Sequence, residues 1–177
     1  IIEADLAAEI AAQLPSLPRD VVGINLKRKL VFMNRTIKHG GRHILVLLRI
    51  WRRGHGRIEN RWMDEHIIVH GGKTVTFEGG FADHNLNNLG FFTDKHNKYA
   101  TREAVDVLNQ RLGFMERDES LSVNATSPQA AVKRFMKEHV YNRIPFQFGA
   151  AGYFFYRFFF QLGFLDGREG VIYHVLQ

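Results

Sequence analysis

The stretch "DVVGINLKRKLVFM" (residues 20–33) alternates apolar residues with polar or small ones near the start of the chain. Val22, Ile24 and Leu26 fall on one side of this alternation. Successive side chains of an extended chain point to opposite faces, so a period of two indicates a strand with one buried face. The stretch therefore predicts a β-strand and places a sheet in the fold.

A helix is predicted before this strand. The stretch "EADLAAEIAAQL" (residues 3–14) has apolar residues at helical spacing, with Asp5 as the expected N-cap and Pro15 as the expected stop.

Three stretches after the first strand also have the character of strands, and the turn "KHGG" (38–41) precedes them. The run "HILVLLRIWRRG" (43–54) predicts a buried strand, with a helix as the alternative. The stretch "RIENRWMDEHIIVHGG" (57–72) predicts one strand that ends at two glycines. The stretch "KTVTFEGGFADHN" (73–85) predicts a short strand and a loop.

From about Leu89 the spacing becomes helical. The stretch "TDKHNKYATREAVDVLNQRLG" (93–113) predicts a helix that ends at Gly113 and has one apolar face, formed by Thr101, Val105, Leu108 and Leu112. A second helix is expected to begin at Ser127 and Pro128, after a polar linker at residues 116–126. We therefore expect an α/β domain at residues 1–115 and a helical appendage at residues 116–177.

The composition narrows the function classes. A chain of 177 residues can bury a core, and the absence of cysteine excludes disulfides and thiolate zinc sites. The formal net charge of +6 favours an anionic partner, but no nucleic-acid-binding module is recognisable, so we expect no nucleic acid. The chain begins at Ile1 without a signal peptide, and we expect it to be part of a longer protein.

The stretch "FGAAGYFFYRFFFQLGFL" (148–165) is rich in aromatic residues. Tyr153, Arg157 and Gln161 are four residues apart and would form one polar line on an aromatic helix. We expect this helix to lie in the lipid headgroup region with its basic residues towards anionic lipid. The alternatives are a core helix or an oligomer interface.

The adjacent acids of "WMDEHIIVH" (62–70) are candidate catalytic residues. In a strand, Asp64 and Glu65 would point to opposite faces. Glu65 would lie on the apolar face, where burial raises a carboxyl pKa towards the range of a general base. Asp64 would lie on the face of His66 and His70, and an ordinary ion pair with His66 or a nearby arginine is the alternative.

Two other clusters suggest binding chemistry. Asp64, His66, His70 and Asp83 could form a metal site of a metal-dependent hydrolase, with His84 as a further ligand, although the glutamate precedes the first histidine and no HExxH motif occurs. The basic run Lys95, His96 and Lys98, with Arg102 after it, could contact phosphate on the first turns of its helix.

Together, "RWMDEHIIVHGG", "FADHN", "TDKHNKYATREA" and "FFFQLGFLDGREGVIYHVLQ" occur in the order seen in bacterial family 2 glycosyltransferases of the cell-envelope polysaccharide or lipopolysaccharide type. The resemblance covers nearly the whole chain. It implies the C-terminal portion of a GT-A fold and inverting transfer from a nucleotide-sugar to a glycan or lipid-linked acceptor. It also implies a divalent cation, Mg²⁺ or Mn²⁺, and a cytoplasmic protein peripheral on the inner face of the bacterial membrane.

The resemblance also implies roles for single residues. Glu65 is the expected base that deprotonates the acceptor hydroxyl, with Asp64 as the second choice. The expected substrate-binding residues are Arg61, His66, Lys95, His96 and Lys98, and Asp83 and His84 are expected near the metal. The family's nucleotide-binding strands and Asp-x-Asp motif would precede Ile1, so the isolated chain is expected to be inactive. A non-enzymatic membrane-binding module remains an alternative.

Overall fold

A computed structural model describes residues 1–60, 65–116 and 146–177. It contains a four-stranded mixed sheet and a two-stranded sheet within these residues. The strands are β1 (Val21–Phe32), β2 (Arg35–Thr36), β3 (Leu45–Trp51), β4 (Gly56–Ile58), β5 (Ile67–Val69) and β6 (Lys73–His84). The helices are α1 (Ala4–Gln13), α2 (Leu89–Leu112), α3 (Phe146–Phe155) and α4 (Gly167–Leu176). The predicted α/β class is therefore confirmed at this level.

Strand β1 is the centre of the four-stranded sheet, as its alternating pattern predicted. It pairs in parallel with β6 along one edge and antiparallel with β2 and β3 along the other. The connection to β2 is a two-residue turn in which Met33 and Asn34 both have positive φ, 49° and 62°. Positive φ at both central residues matches the twist of a hairpin, so the chain reverses immediately after β1.

The prediction of one strand at residues 57–72 is wrong. The segment contains instead the ends of an antiparallel hairpin, in which Ile58 pairs with Ile67 and Gly56 pairs with Val69. Val69 packs with Val22 and Leu48, and this contact attaches the hairpin to the main sheet. Strand β6 is also longer than predicted, because pairing with β1 keeps it extended from Lys73 to His84.

Helix α1 packs on β6 through Leu6, which is fully buried with Ile24, Leu26 and Phe77. A Cβ atom at Gly79 would lie 2.5 Å from the Cα atom of Leu6, so only glycine allows this approach. The helix stops before the 3₁₀ turn that contains Pro15, as predicted. Asp5 lies inside the first turn instead of capping it, because the helix begins at Ala4 and Glu3 takes the N-cap position.

Helix α2 begins at Leu89, where the side chain of Asn88 accepts a hydrogen bond from the backbone N–H of Phe91 (2.9 Å). It ends at Gly113 in a left-handed conformation, as predicted. The predicted apolar face is not the buried one: Leu108 and Leu112 are exposed, whereas Phe92, Asp106 and Asn109 are buried. Asn109 exchanges hydrogen bonds with the backbone of Met115, which folds the chain back over the helix end.

The C-terminal segment continues α3 into a π-helical turn, Tyr156–Phe160, and a 3₁₀ turn, Gly163–Asp166, before α4. Tyr173 of α4 packs with Phe32, Ile37 and Phe92, so this helix shares a core with the sheet and α2. The predicted linker, apart from Glu116 at its start, and the whole helix predicted from Ser127 lie outside the described residues. In the described part of the chain, no helix combines the length and apolarity needed to cross a bilayer.

Candidate functional site

The hairpin β4–β5 is extended by one further pair of residues, Glu59 and His66. The backbone N–H of Glu59 donates to the carbonyl of His66 (2.9 Å), and the N–H of His66 donates to Oε2 of Glu59 (3.0 Å). The Glu59 side chain is fully buried, and Oε2 lies 3.5 Å from Nδ1 of His66. These hydrogen bonds fix the backbone at Glu59 and His66, so Glu65, directly before His66, is attached to an ordered position.

Glu65 lies directly before His66 of this pair. It is exposed and precedes β5, which corrects the prediction that it lies on a buried strand face. The prediction failed because β5 begins only at Ile67, so the alternation of the strand does not extend back to residue 65. Within the described residues Glu65 has no hydrogen bond or ion pair, and its carboxylate is open to solvent. Asp64 and Arg61, the other predicted residues of this stretch, lie outside the described residues.

The predicted metal ligands are engaged separately. Asp83 pairs with Arg28, with 3.3 Å between Oδ2 and Nη1, and Nε2 of His84 is 3.1 Å from Oδ1 of Asn34. His66 contacts Glu59, whereas the backbone carbonyl of His70 lies 3.1 Å from Nδ1 of His55. Among the described residues, no three histidine or carboxylate side chains come together as a metal-binding group.

The end of β6 borders a small recess. The recess has a volume of about 320 Å³ between the β1–β2 turn and the loop that leads to α2, and its polar lining comes from the amides of Asn34, Asn85, Asn87 and Asn88. His84 lies at its edge through the contact with Asn34. Amide groups in such a recess can bind hydroxyl groups, but the recess is shallow and open.

The predicted basic run lies on α2, beyond its first turn. Lys95 and Lys98 are exposed, and the Lys95 ammonium lies 5.6 Å from the centre of the Tyr99 ring. His96 is half-buried and stacks on Phe92 with 3.9 Å between the ring centres. Its Nδ1 donates to the carbonyl oxygen of Phe92 (2.8 Å), and its Nε2 is 2.8 Å from the amide nitrogen of Gln177. His96 is therefore joined to the C-terminal segment.

The aromatic segment has the opposite orientation to the predicted one. Arg157, on the predicted polar line, is only 3% exposed and donates from Nε to the carbonyl oxygen of Gly40 (2.6 Å). The aromatic side chains lie outside: Phe160 is 80% exposed, and Phe148, Phe155, Tyr156 and Phe159 are more than half exposed. Arg157 faces inward because the carbonyl oxygen of Gly40 accepts its hydrogen bond, in place of the anionic lipid that was expected to face it.

A buried polar cluster around residues 38–42 was not found from the sequence. Asp166 is 3% exposed and accepts hydrogen bonds from the backbone N–H groups of Lys38 (3.1 Å) and His39 (2.7 Å), and from Nδ1 of His39 (2.8 Å). Burial alone would raise the pKa of Asp166, but these hydrogen bonds outweigh it and lower the pKa. The sequence feature that could have indicated this cluster is the pair of glycines beside a histidine in "KHGG", because two adjacent glycines are typical of a tight turn.

His174 of α4 is enclosed by two glycines. A Cβ atom at Gly40 would lie 2.1 Å from Cε1 of His174, and one at Gly163 would lie 2.6 Å from Cδ2. Within the described structure, neither ring nitrogen of His174 has a hydrogen-bond partner. Burial, followed by the nearby charge of Arg157, lowers the pKa of His174 to about 4, so the ring is neutral at neutral pH.

Comparison of the chain with family models, curated proteins and solved structures found no match.

Proposed function

We propose that this chain is the acceptor-side part of an inverting glycosyltransferase. The enzyme would move a sugar from a nucleotide-sugar to a cell-envelope polysaccharide or a lipid-linked acceptor. The observation that carries the proposal is the exposed carboxylate of Glu65, which has no ion-pair partner among the described residues and lies beside the fixed pair of Glu59 and His66. The motifs that resemble family 2 glycosyltransferases support the same assignment.

The reaction requires a base at an accessible position. In an inverting transfer, a carboxylate accepts the proton of the acceptor hydroxyl while that oxygen attacks the sugar carbon and the nucleotide diphosphate leaves. A carboxylate held in an internal ion pair is less available for this step than a free one. Glu65 is therefore the proposed base, and Asp64, one residue before it, is the second choice.

The divalent cation of such enzymes is not assigned to the described residues. Asp83 and His84, which the resemblance places near the metal, are engaged by Arg28 and Asn34 and do not form a ligand set with a third donor in the described part of the chain. The proposed role of Glu65 in proton transfer therefore does not depend on a metal ligand among these residues.

We also propose that the protein acts at the inner face of the bacterial membrane. The exposed aromatic side chains of the C-terminal segment and the net charge of +6 support contact with an anionic lipid surface. The exposed aromatic side chains and the positive charge also favour a second candidate function, a membrane-binding module without catalytic activity. Only the first proposal requires a base at residue 65.

A transfer assay separates the two candidates. The product of the intact gene would be incubated with labelled nucleotide-sugars and bacterial membranes, and label would be measured in the lipid and polysaccharide fractions. We expect transfer of one or a few sugars, whereas the 177-residue chain alone should show no nucleotide-sugar binding by calorimetry. Membrane binding without transfer of any sugar would favour the non-catalytic module, and a stoichiometric tightly bound zinc would favour a hydrolase.

A further inference from the structure

Arg42 and Arg157 form a basic pair in which Arg157 is buried and Arg42 is half-buried. Neither guanidinium has an acidic partner within 4 Å among the described residues, although Arg157 is 3% exposed. The nearby Asp166 is engaged by His39 and two backbone N–H groups. Burial, followed by repulsion from Arg42, lowers the pKa of Arg157. A buried cation without a compensating anion is unfavourable, so the two arginines are suited to bind an anion.

Two nitrogen atoms of these side chains lack acceptors. Nη2 of Arg157 and Nε of Arg42 are buried and have no hydrogen-bond partner in the described structure. The remaining groups of Arg157 are held: Nε donates to Gly40, Nη1 donates to the Tyr153 hydroxyl (3.2 Å), and the guanidinium lies over the rings of Tyr153 and Tyr173. The guanidinium is therefore fixed in place while part of its donor capacity is unused.

One amide oxygen lies between the two arginines. Oε1 of Gln177 accepts from Nη2 of Arg42 (2.8 Å) and from Nη1 of Arg157 (3.4 Å). The amide nitrogen of the same side chain lies 2.8 Å from Nε2 of His96, and Gln177 itself is exposed. A neutral oxygen bonded by two guanidinium groups occupies the position that an anionic oxygen would fill better. Since the glutamine is exposed, its side chain can move aside without disrupting the core.

We propose that Arg42, Arg157 and His96 form a binding site for a phosphate group, at which the side chain of Gln177 is displaced by the ligand. Two guanidinium groups supply planar sets of donors, which match tetrahedral phosphate oxygens. His96 can supply a further donor when it is protonated, because its Nδ1 already donates to the backbone of Phe92.

The ligand chemistry is a phosphate oxyanion, whose source is a lipid headgroup or a free phosphate. The exposed aromatic side chains Phe155, Tyr156, Phe159 and Phe160 surround Arg157 in sequence on the same segment. Aromatic side chains beside a phosphate site favour a lipid headgroup as the ligand, because the rings and the arginines can then contact the headgroup region at the same time. The inference goes beyond the proposed reaction, since the site would bind phosphate whether or not the protein transfers a sugar.

The substitution Gln177→Glu tests the site without removing a buried group. A carboxylate at this exposed position would pair with both arginines, so it should occupy the site permanently and raise the melting temperature. Gln13→Glu makes the same change of charge on α1, where Gln13 is exposed, and serves as the matched control. Arg42→Gln provides a second variant, which removes one of the two guanidinium groups with less risk to folding than a change at Arg157.

Two measurements on the 177-residue chain apply these variants. The first is calorimetric titration with inorganic phosphate. The second is flotation with vesicles of phosphatidylcholine, with and without phosphatidic acid. We expect Gln177→Glu and Arg42→Gln to weaken the binding of phosphate, or of vesicles that contain phosphatidic acid, at least tenfold. Gln13→Glu should leave the same binding nearly unchanged. A loss confined to vesicles assigns the site to lipid, and a loss of phosphate binding in solution assigns it to free phosphate. Equal effects of Gln177→Glu and Gln13→Glu, or no saturable binding in either measurement, would overturn the proposal.

Discussion

At the scale of single residues, the structure is organised by polar groups that the sequence pattern did not identify. Glu59, Asp166 and His174 are each at most 4% exposed. Burial of a charged side chain is favourable where partners are already in place, as His66 is for Glu59 and residues 38 and 39 are for Asp166. The partners of Asp166 lie far away in the sequence, and His174 is instead enclosed by Gly40 and Gly163, so local spacing could not reveal either residue.

The hydrogen bonds to Asp166 should contribute strongly to stability. We expect Asp166→Ala to lower the free energy of unfolding by about 3 kcal/mol, because it leaves the backbone N–H groups of Lys38 and His39 without an acceptor. Urea unfolding measures the change. The control is Asp20→Ala, which removes an exposed ion pair with Lys73 and should shift the midpoint little. Equal shifts for the two variants would refute the assigned role.

The neutral state of His174 makes stability depend on pH. The folded pKa is about 4 and the ordinary value is 6.5, so below about pH 6.5 the unfolded chain binds a proton that the folded protein does not. Stability should therefore be lost as the pH falls, by about 2 kcal/mol between about pH 7 and pH 5. His174→Gln should remove this part of the pH dependence in urea unfolding experiments. A variant that keeps the full dependence would assign it to other histidines.

At the scale of elements, helices and strands were predicted correctly where the local sequence determines the structure. The predictions failed where contacts with distant segments determine it. Strand β1 and the end of α2 at Gly113 follow from alternation and a helix-stop residue. The segment at residues 57–72 looked like one strand because its polar interruption is short. The apolar Leu108 and Leu112 are exposed, and no local rule indicates that Asp106 and Asn109 are buried in their place.

The glycine turn at residues 40 and 41 positions both Arg157 and His174. We expect Gly40→Ala to destabilise the protein by roughly 3 kcal/mol, because φ is +66° and the added methyl group would overlap the His174 ring. Gly54→Ala is the matched control: its φ is +82° but no atom lies within 4 Å of the added Cβ. It should cost about 1 kcal/mol for backbone strain alone. Similar melting temperatures for the two variants would contradict this packing.

At the scale of the whole molecule, the α/β class could be predicted because strands and helices differ in period. The arrangement of β6 parallel to β1 could not, since register depends on contacts between residues far apart in sequence. The candidate base and His96 came from motifs, whereas Arg157 was identified as important but given the wrong orientation. The structure places its charge inside and the aromatic rings outside.

The outward aromatic rings should bind a lipid surface. We expect Phe160→Ser to weaken binding to anionic vesicles roughly fivefold to tenfold, because this ring is 80% exposed and contributes apolar area at the interface. Leu86→Ser is the control, since Leu86 is 75% exposed but lies before α2, outside the aromatic segment. Vesicle flotation compares the two. If Leu86→Ser weakened binding as much, the aromatic segment would not be the contact surface.

The assignment of Glu65 as the base is tested most directly by Glu65→Gln in the product of the intact gene, with transfer rate and donor affinity both measured. The amide keeps the size of the side chain but accepts no proton, so we expect kcat to fall at least a hundredfold while the Kd for the nucleotide-sugar stays unchanged. Asp64→Asn should cause a smaller loss. Full turnover in Glu65→Gln, or its loss only in Asp64→Asn, would contradict the assignment.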